Sequence, residues 1–165
     1  MPNATGWLLL AGILGHPVPT LAQNPPPSKV SASLARVFGR DLMVDSVRID
    51  SVLVFRVRRA DSLLGFARVG NVKGKDQPIT FLVAVDPEAR LRDVDVLIYR
   101  EPYGGEVAYE SWRRQFRGKS ATDPLVAGRD IRGISGATIS VNAVTVGVRR
   151  SVADFSQWIK QGLLR

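Results

Sequence analysis

Val141-Asn-Ala-Val-Thr-Val-Gly-Val-Arg-Arg-Ser-Val-Ala-Asp-Phe-Ser-Gln-Trp-Ile159 is the stretch whose reading decides the fold. Val141, Val144, Val148, Val152, Phe155 and Ile159 recur at steps of three, four, four, three and four. That spacing draws one apolar stripe along an α-helix, with Asn142, Thr145, Arg149, Asp154 and Lys160 off it. Upstream the period falls towards two. Ile79–Val85 is a continuous apolar run that reads as a central strand ended by Asp86-Pro87, and Val94–Tyr99 reads as another. Leu64–Val72 is a strand group bent at Gly65 and Gly70, and Met43, Val47, Ile49, Val52, Val54 and Val57 alternate with polar residues. Asp93 and Asp95 alternate as exposed strand positions do. Strands followed by a long terminal helix predict an α+β fold, a mainly antiparallel twisted sheet packed with that helix. Shorter helices are expected over Ser31–Phe38 and over Val107–Phe116, which carries Trp112 and Phe116.

The chain has 165 residues, 45% apolar and 23% charged, which suits one folded domain with a real core. It has no cysteine and one histidine, His16. Gly6–Gly15 is an apolar run about half the ~20 residues that a membrane-spanning helix needs, and Thr20-Leu21-Ala22 resembles a signal-peptide cleavage site. Residues 1–22 are therefore expected to be a signal peptide, followed over 23–40 by a proline-rich spacer and a short helix. A cut after Ala22 removes His16 and leaves a chain with neither His nor Cys. Such a chain has no Ser-His-Asp triad, no Cys-His pair and no histidine metal cluster. Asp86, Asp93 and Asp95 show no spacing that marks an acid–base pair. The net charge of +8 admits a second class, a basic module that binds anions or an anionic surface without a cofactor. Its Lys and Arg are spread in short clusters such as Arg56-Val-Arg-Arg59, which argues against nucleic acid as a partner.

Just before the long helix stands Arg132-Gly-Ile-Ser-Gly-Ala-Thr-Ile-Ser140. Ser135-Gly136-Ala137-Thr138 puts two hydroxyls and two small residues where a loop becomes a helix. The residue types suit two purposes. A Ser or Thr there caps a helix, and free N–H groups at a helix start also attract phosphate oxygens.

This stretch resembles the FMN-binding domain family that carries a covalently attached flavin, as in the C subunit of the sodium-pumping NADH:quinone oxidoreductase and the G subunit of the Rnf complex. The resemblance extends to Tyr99-Arg-Glu-Pro-Tyr-Gly-Gly-Glu106, Gln115-Phe-Arg-Gly118 and Asp130-Ile131. It implies that 41–165 is an FMN-binding domain with FMN as cofactor, an electron carrier rather than a self-sufficient enzyme. It also implies that Thr138 is the residue esterified to the FMN phosphate. A flavin transferase acting outside the cytoplasm and redox partner proteins, membrane-bound in those complexes, are the implied partners. A periplasmic or extracytoplasmic membrane-associated location goes with them. Ser135, Gly136, Ala137, Ser140, Glu101 and Arg132 complete the implied cofactor site, with Glu101 a candidate to face the ring and Arg132 to offset the diester charge. Tyr99, Tyr103, Tyr109 and Trp112 are the aromatic candidates for stacking on it. One position departs from the family pattern: Arg132 stands where an Asp usually precedes the motif by three residues, and the nearest acid is Asp130. Three alternatives stay open on these residues: Asp130 substitutes, the transferase accepts Arg, or the flavin is held without a covalent bond.

N-terminal sequencing of the exported protein is expected to begin at Gln23; an intact Met1 in the membrane fraction would identify an uncleaved anchor instead.

Overall fold

The computed structural model describes residues 24–164, so the expected signal peptide and His16 lie outside the described residues. Helix α1 (Pro27–Phe38) leads into five strands: β1 (Met43–Ile49), β2 (Val52–Arg59), β3 (Ser62–Lys73), β4 (Pro78–Val85) and β5 (Leu91–Ile98). They form one antiparallel sheet in sequence order. Helix α3 (Thr138–Lys160) closes the chain after a short α2 (Glu110–Arg113). The α+β expectation holds. Among the described residues no helix is long and apolar enough to cross a membrane.

Strand β4 explains its own unbroken apolar run. Ile79, Phe81, Val83 and Val85 face a core with Val141, Val144, Val148, Val152 and Phe155 of α3. Leu82 and Ala84 face the other side, where Val30, Leu34 and Phe38 of α1 pack. A strand covered on both faces has no polar side to alternate with. Gly147 lets α3 settle closely on the sheet, since a Cβ there would stand 2.6 Å from Phe81 Cζ and 2.7 Å from Val72 Cγ1.

Several sequence expectations change in detail. Helix α1 begins at Pro27, inside the proline-rich stretch, because proline fits the first helical turn, where an N–H has no intrahelical partner. The 107–116 segment is not one helix. It is broken into 3-10 turns at Gly105–Ala108 and Arg114–Phe116 around α2, with Tyr109 extended between the first two. Thr145 is buried rather than solvent-facing, and Trp158 takes the last core place of α3 ahead of Ile159. Trp158 meets Phe155 edge-on at 5.8 Å and carries the Arg68 guanidinium 5.6 Å from its ring centre.

The largest correction concerns Asp93, which is only 3% exposed. Helix α1 and the 110–117 segment both lie against β5 and bring three guanidinium groups to it. Asp93 accepts hydrogen bonds from Arg36 (2.8 Å), Arg117 (3.2 Å), Arg113 (3.3 Å) and its neighbour's Val94 N–H (2.8 Å). Asp95, half-buried beside it, pairs with Arg36 at 2.9 Å. Arg113 is itself 6% exposed and also donates to the carbonyls of Ala108 and Val94. Burial by itself raises the Asp93 carboxyl; the Arg36 and Val94 hydrogen bonds and the charges of Arg113 and Arg36 outweigh it and hold the pKa below 3.8.

Asp93→Ala leaves the Arg113 guanidinium buried without its main counter-charge, so urea unfolding at pH 7 is expected to show a loss of about 3–5 kcal/mol. A folded-state pKa below the unfolded one means this stabilisation is complete above pH ~4 and fades as pH falls through the folded value. The gap between wild type and variant should therefore narrow in acid.

Candidate functional site

The start of α3 is built from small residues under little constraint from their own side chains. Ala137 occupies the N-cap position, and no side chain caps the helix. Neither Ser135 nor Thr138 acts as a cap, so the purely structural use of those hydroxyls is not the one this fold adopts. Ser135, Gly136 and Thr138 are exposed, whereas Ala137 and Ser140 are buried. Gly136 takes a left-handed φ of +80°, and a Cβ at Gly133 or Gly136 would meet nothing within 4 Å. The first turn of α3 has N–H groups without intrahelical acceptors and the positive end of the helix dipole. Thr138 thus presents its hydroxyl in open space beside a favourable place for an anion.

The preceding loop is tied down through its backbone. Arg132 N–H donates to Gln115 Oε1 at 2.7 Å, and Trp112 Nε1 donates to the Arg132 carbonyl at 2.8 Å. Gln115 Nε2 in turn donates to the Trp112 carbonyl at 2.9 Å. The Arg132 side chain remains exposed. Asp130 is spent differently: its carboxylate accepts from Val126 N–H (2.8 Å), Leu125 N–H (3.1 Å) and Lys119 Nζ (3.1 Å). Burial opposes ionisation there, and those three donors outweigh it and hold its pKa below 3.8.

The Tyr99–Glu106 segment docks on the other side of the helix start. Tyr99 Oη donates to the Tyr103 carbonyl and lies 2.8 Å from Ser140 Oγ. A phenol has one proton, so with it given to Tyr103, Ser140 must be the donor in the second bond. Ser140 is therefore a buried fastening, not a free hydroxyl. Gly104, at φ +88°, sits beneath this pair; a Cβ there would be 2.8 Å from both oxygens and 3.4 Å from Ala137 Cβ. Glu101 fixes the far end of the loop, its Oε1 accepting from Asp76 N–H (2.8 Å) and Gln77 N–H (2.9 Å) in the β3–β4 turn. The Gln77 hydrogen bond, joined by that of Asp76 and by the Lys75 backbone and charge, outweighs desolvation and lowers the Glu101 pKa.

Of the aromatic candidates, Tyr103 and Tyr109 are 82% and 63% exposed, and Ile139 beside Thr138 is 51% exposed. Trp112 is buried edge-on against Phe116 at 5.2 Å and serves the loop through its indole N–H, which removes it as a stacking surface. A groove of about 920 Å³ lies elsewhere, between α1 and β1–β3, and takes no residue from 132–140. The fold thus gathers Thr138, Gly136, Ala137, Ser140 and Arg132 at one end of α3, with the Tyr99–Gly104 loop against them. The part that Gln115 and Trp112 play in holding the loop is not visible in the sequence. The one signal there is the likeness of Gln115-Phe-Arg-Gly118 to the family pattern, which says nothing of what Gln115 binds.

Residues 74–153 match the FMN-binding domain family. FMN is the cofactor that this match indicates. Among curated proteins the chain is similar to the G subunit of the proton-translocating ferredoxin:NAD(+) oxidoreductase complex of Clostridium ljungdahlii, 29% identical over 106 residues that cover 59% of this chain and 57% of that one. Among solved structures it is similar to Shewanella oneidensis NqrC, with a TM-score of 0.55 and 20% identity over 67% of this chain and 61% of that one. The chain spans less than two thirds of either relative. The residues at the start of α3 fit a flavin phosphate: an uncapped helix N-terminus, an exposed hydroxyl, and open space where side chains would otherwise stand.

Gly104→Ala is expected to cost about 1–3 kcal/mol, from the strained φ and the intrusion between Tyr99 and Ser140. Gly118→Ala is the control, since Gly118 has a similar φ of +79° but nothing within 4 Å. Thermal melting of the two variants separates strain from crowding: the Gly104 variant should melt lower.

Proposed function

We propose that this chain is an exported flavoprotein that carries FMN for electron transfer, with the flavin phosphate esterified to Thr138. The observation that carries the reading is the Thr138 hydroxyl: exposed, outside any cap, and placed at a helix start in the Ser135-Gly136-Ala137-Thr138 sequence. In the attachment step, Thr138 Oγ1 forms the new P–O bond. The diphosphate bond of a flavin dinucleotide donor breaks, and the nucleoside monophosphate leaves as the hydroxyl gives up its proton. Gly136 and Ala137 are small enough to admit a transferase. The diester that results keeps one negative charge, for which the first-turn N–H groups and the exposed Arg132 guanidinium are the stabilising partners.

Bound FMN supplies the acceptance and donation of electrons, and the protein supplies position and electrostatics. Ile139 beside Thr138 and Tyr103 on the loop against α3 offer exposed apolar surface at this end of the helix, and Glu101 orders the loop that bears Tyr103. Asp130 is held by two N–H groups of its own turn and by Lys119, which argues against it as the stand-in for the family's acid; Arg132 is then the residue a transferase meets. Export after Ala22 places the domain outside the cytoplasm with that transferase. Redox partners in a membrane complex are suggested by the relative's role as a subunit of an oxidoreductase complex.

Thr138→Ala is expected to abolish flavin fluorescence in the denatured gel band after coexpression with a flavin transferase, with intact mass as a second reading. No cap is lost at this exposed position, so stability should change by no more than about 0.5 kcal/mol. A variant band that still fluoresces would move the attachment to Ser135, the other exposed hydroxyl of the motif. A dark wild-type band on a yellow native protein would mean FMN held without the ester.

A further inference from the structure

We infer that Gln115 is a positioning residue for the modification of Thr138, acting through the Arg132 backbone. The inference rests on the reading that Thr138 is the attachment point. The motif faces two opposed demands. A transferase needs small, exposed residues around the hydroxyl, and Gly133 and Gly136 both stand in open space. Glycine and exposure also leave a segment free to move, because a Gly loses the most conformational freedom on ordering. Between Arg132 and Thr138 lie five residues, 133–137, tied within the segment by Ala137 N–H to the Ile134 carbonyl at 3.0 Å. Ala137 and the half-buried Ile134 pack on the core, and the exposed positions around them take their remaining order from the two ends. Ser140 holds the helix end through Tyr99. At the other end, Gln115 and Trp112 take both polar groups of the Arg132 backbone, at 2.7 and 2.8 Å.

The clasp is rigid for a reason visible in its neighbours. Trp112 is buried against Phe116, and Arg113 between them is pinned to Asp93 and to the Ala108 and Val94 carbonyls. Gln115 uses both ends of its amide, accepting from Arg132 and donating to the Trp112 carbonyl, so its orientation is set. Its hydrogen bonds go to the backbone of Arg132 and of Trp112 and not to Thr138. Its effect is therefore on how well the hydroxyl is presented, and a displacement of the order of 1 Å at a reacting group costs up to about a hundredfold in rate.

The test uses the full chain with a flavin transferase and a flavin dinucleotide donor, and compares wild type, Gln115→Ala and Gln115→Glu. Glutamate keeps the acceptor for Arg132 N–H and loses the donation to Trp112. Three quantities are read: the initial rate of covalent labelling, amide exchange at Arg132 in the unmodified protein, and the urea midpoint. The expected result is labelling slowed about ten- to a hundredfold in Gln115→Ala, faster exchange at Arg132, and partial recovery of both in Gln115→Glu, whose second oxygen has to turn away from the Trp112 carbonyl. Labelling of Gln115→Ala at the wild-type rate would overturn the inference, as would a slowed rate that follows a fallen urea midpoint and is not rescued by Glu. Wild-type protein that never labels would overturn the Thr138 reading itself. Exchange at Arg132 would then still report whether the clasp exists, so the two failures are distinguishable.

Discussion

The Asp93 carboxylate holds together parts of the molecule that no strand pairing connects. Its partners come from α1 (Arg36), from α2 (Arg113) and from the turn beyond it (Arg117), and all converge on one position of β5. A buried carboxylate is costly unless its oxygens are fully used, and here four donors share them. The consequence reaches the functional end. Arg113 cannot shift without breaking that network, Trp112 and Gln115 flank it, and they grip the backbone of Arg132. A charge at the sheet edge thus fixes the approach to a loop it does not touch.

The start of α3 shows how access and order are reconciled. The exposed residues of the motif, Ser135, Gly136 and Thr138, are small and uncapped, which leaves the helix start open to approach. Order is supplied from behind and from the two flanks: Ala137 and Ser140 face inward, the Tyr99 phenol joins Ser140 to the Tyr103 carbonyl, and the Trp112–Gln115 pair holds Arg132. Glu101 extends the same scheme to the β3–β4 turn. A site of this design depends on hydrogen bonds to the backbone, made by residues set back from the exposed hydroxyl.

Much of this is legible in the chain. The α3 stripe, the unbroken run of β4 and the alternation upstream specify an antiparallel sheet with a terminal helix, because burial on one face or two writes itself into periodicity. The Ser135–Thr138 motif and its companion segments point to FMN, and the 74–153 match agrees. The details that differ share a cause. Asp93 alternates in sequence as a solvent-facing residue does, and periodicity does not say which face another element covers. Thr145 differs for the same reason, since the buried arc of α3 is wider than its apolar stripe.

What the sequence by itself determined is local: which segments are strands and helices, where small residues and hydroxyls stand at a helix start, and that neither thiol nor disulfide chemistry is available. Those follow from propensity, periodicity and residue chemistry, which act over a few positions. Only the tertiary structure decided that Ser140 is spent on Tyr99, that Asp130 is consumed in its own turn, and that Gln115 and Trp112 hold Arg132. Each of these is a hydrogen bond whose partner is chosen by packing, mostly across 17 to 41 positions of chain. A side chain's donors and acceptors are known from its type, but what satisfies them is settled only when distant elements meet.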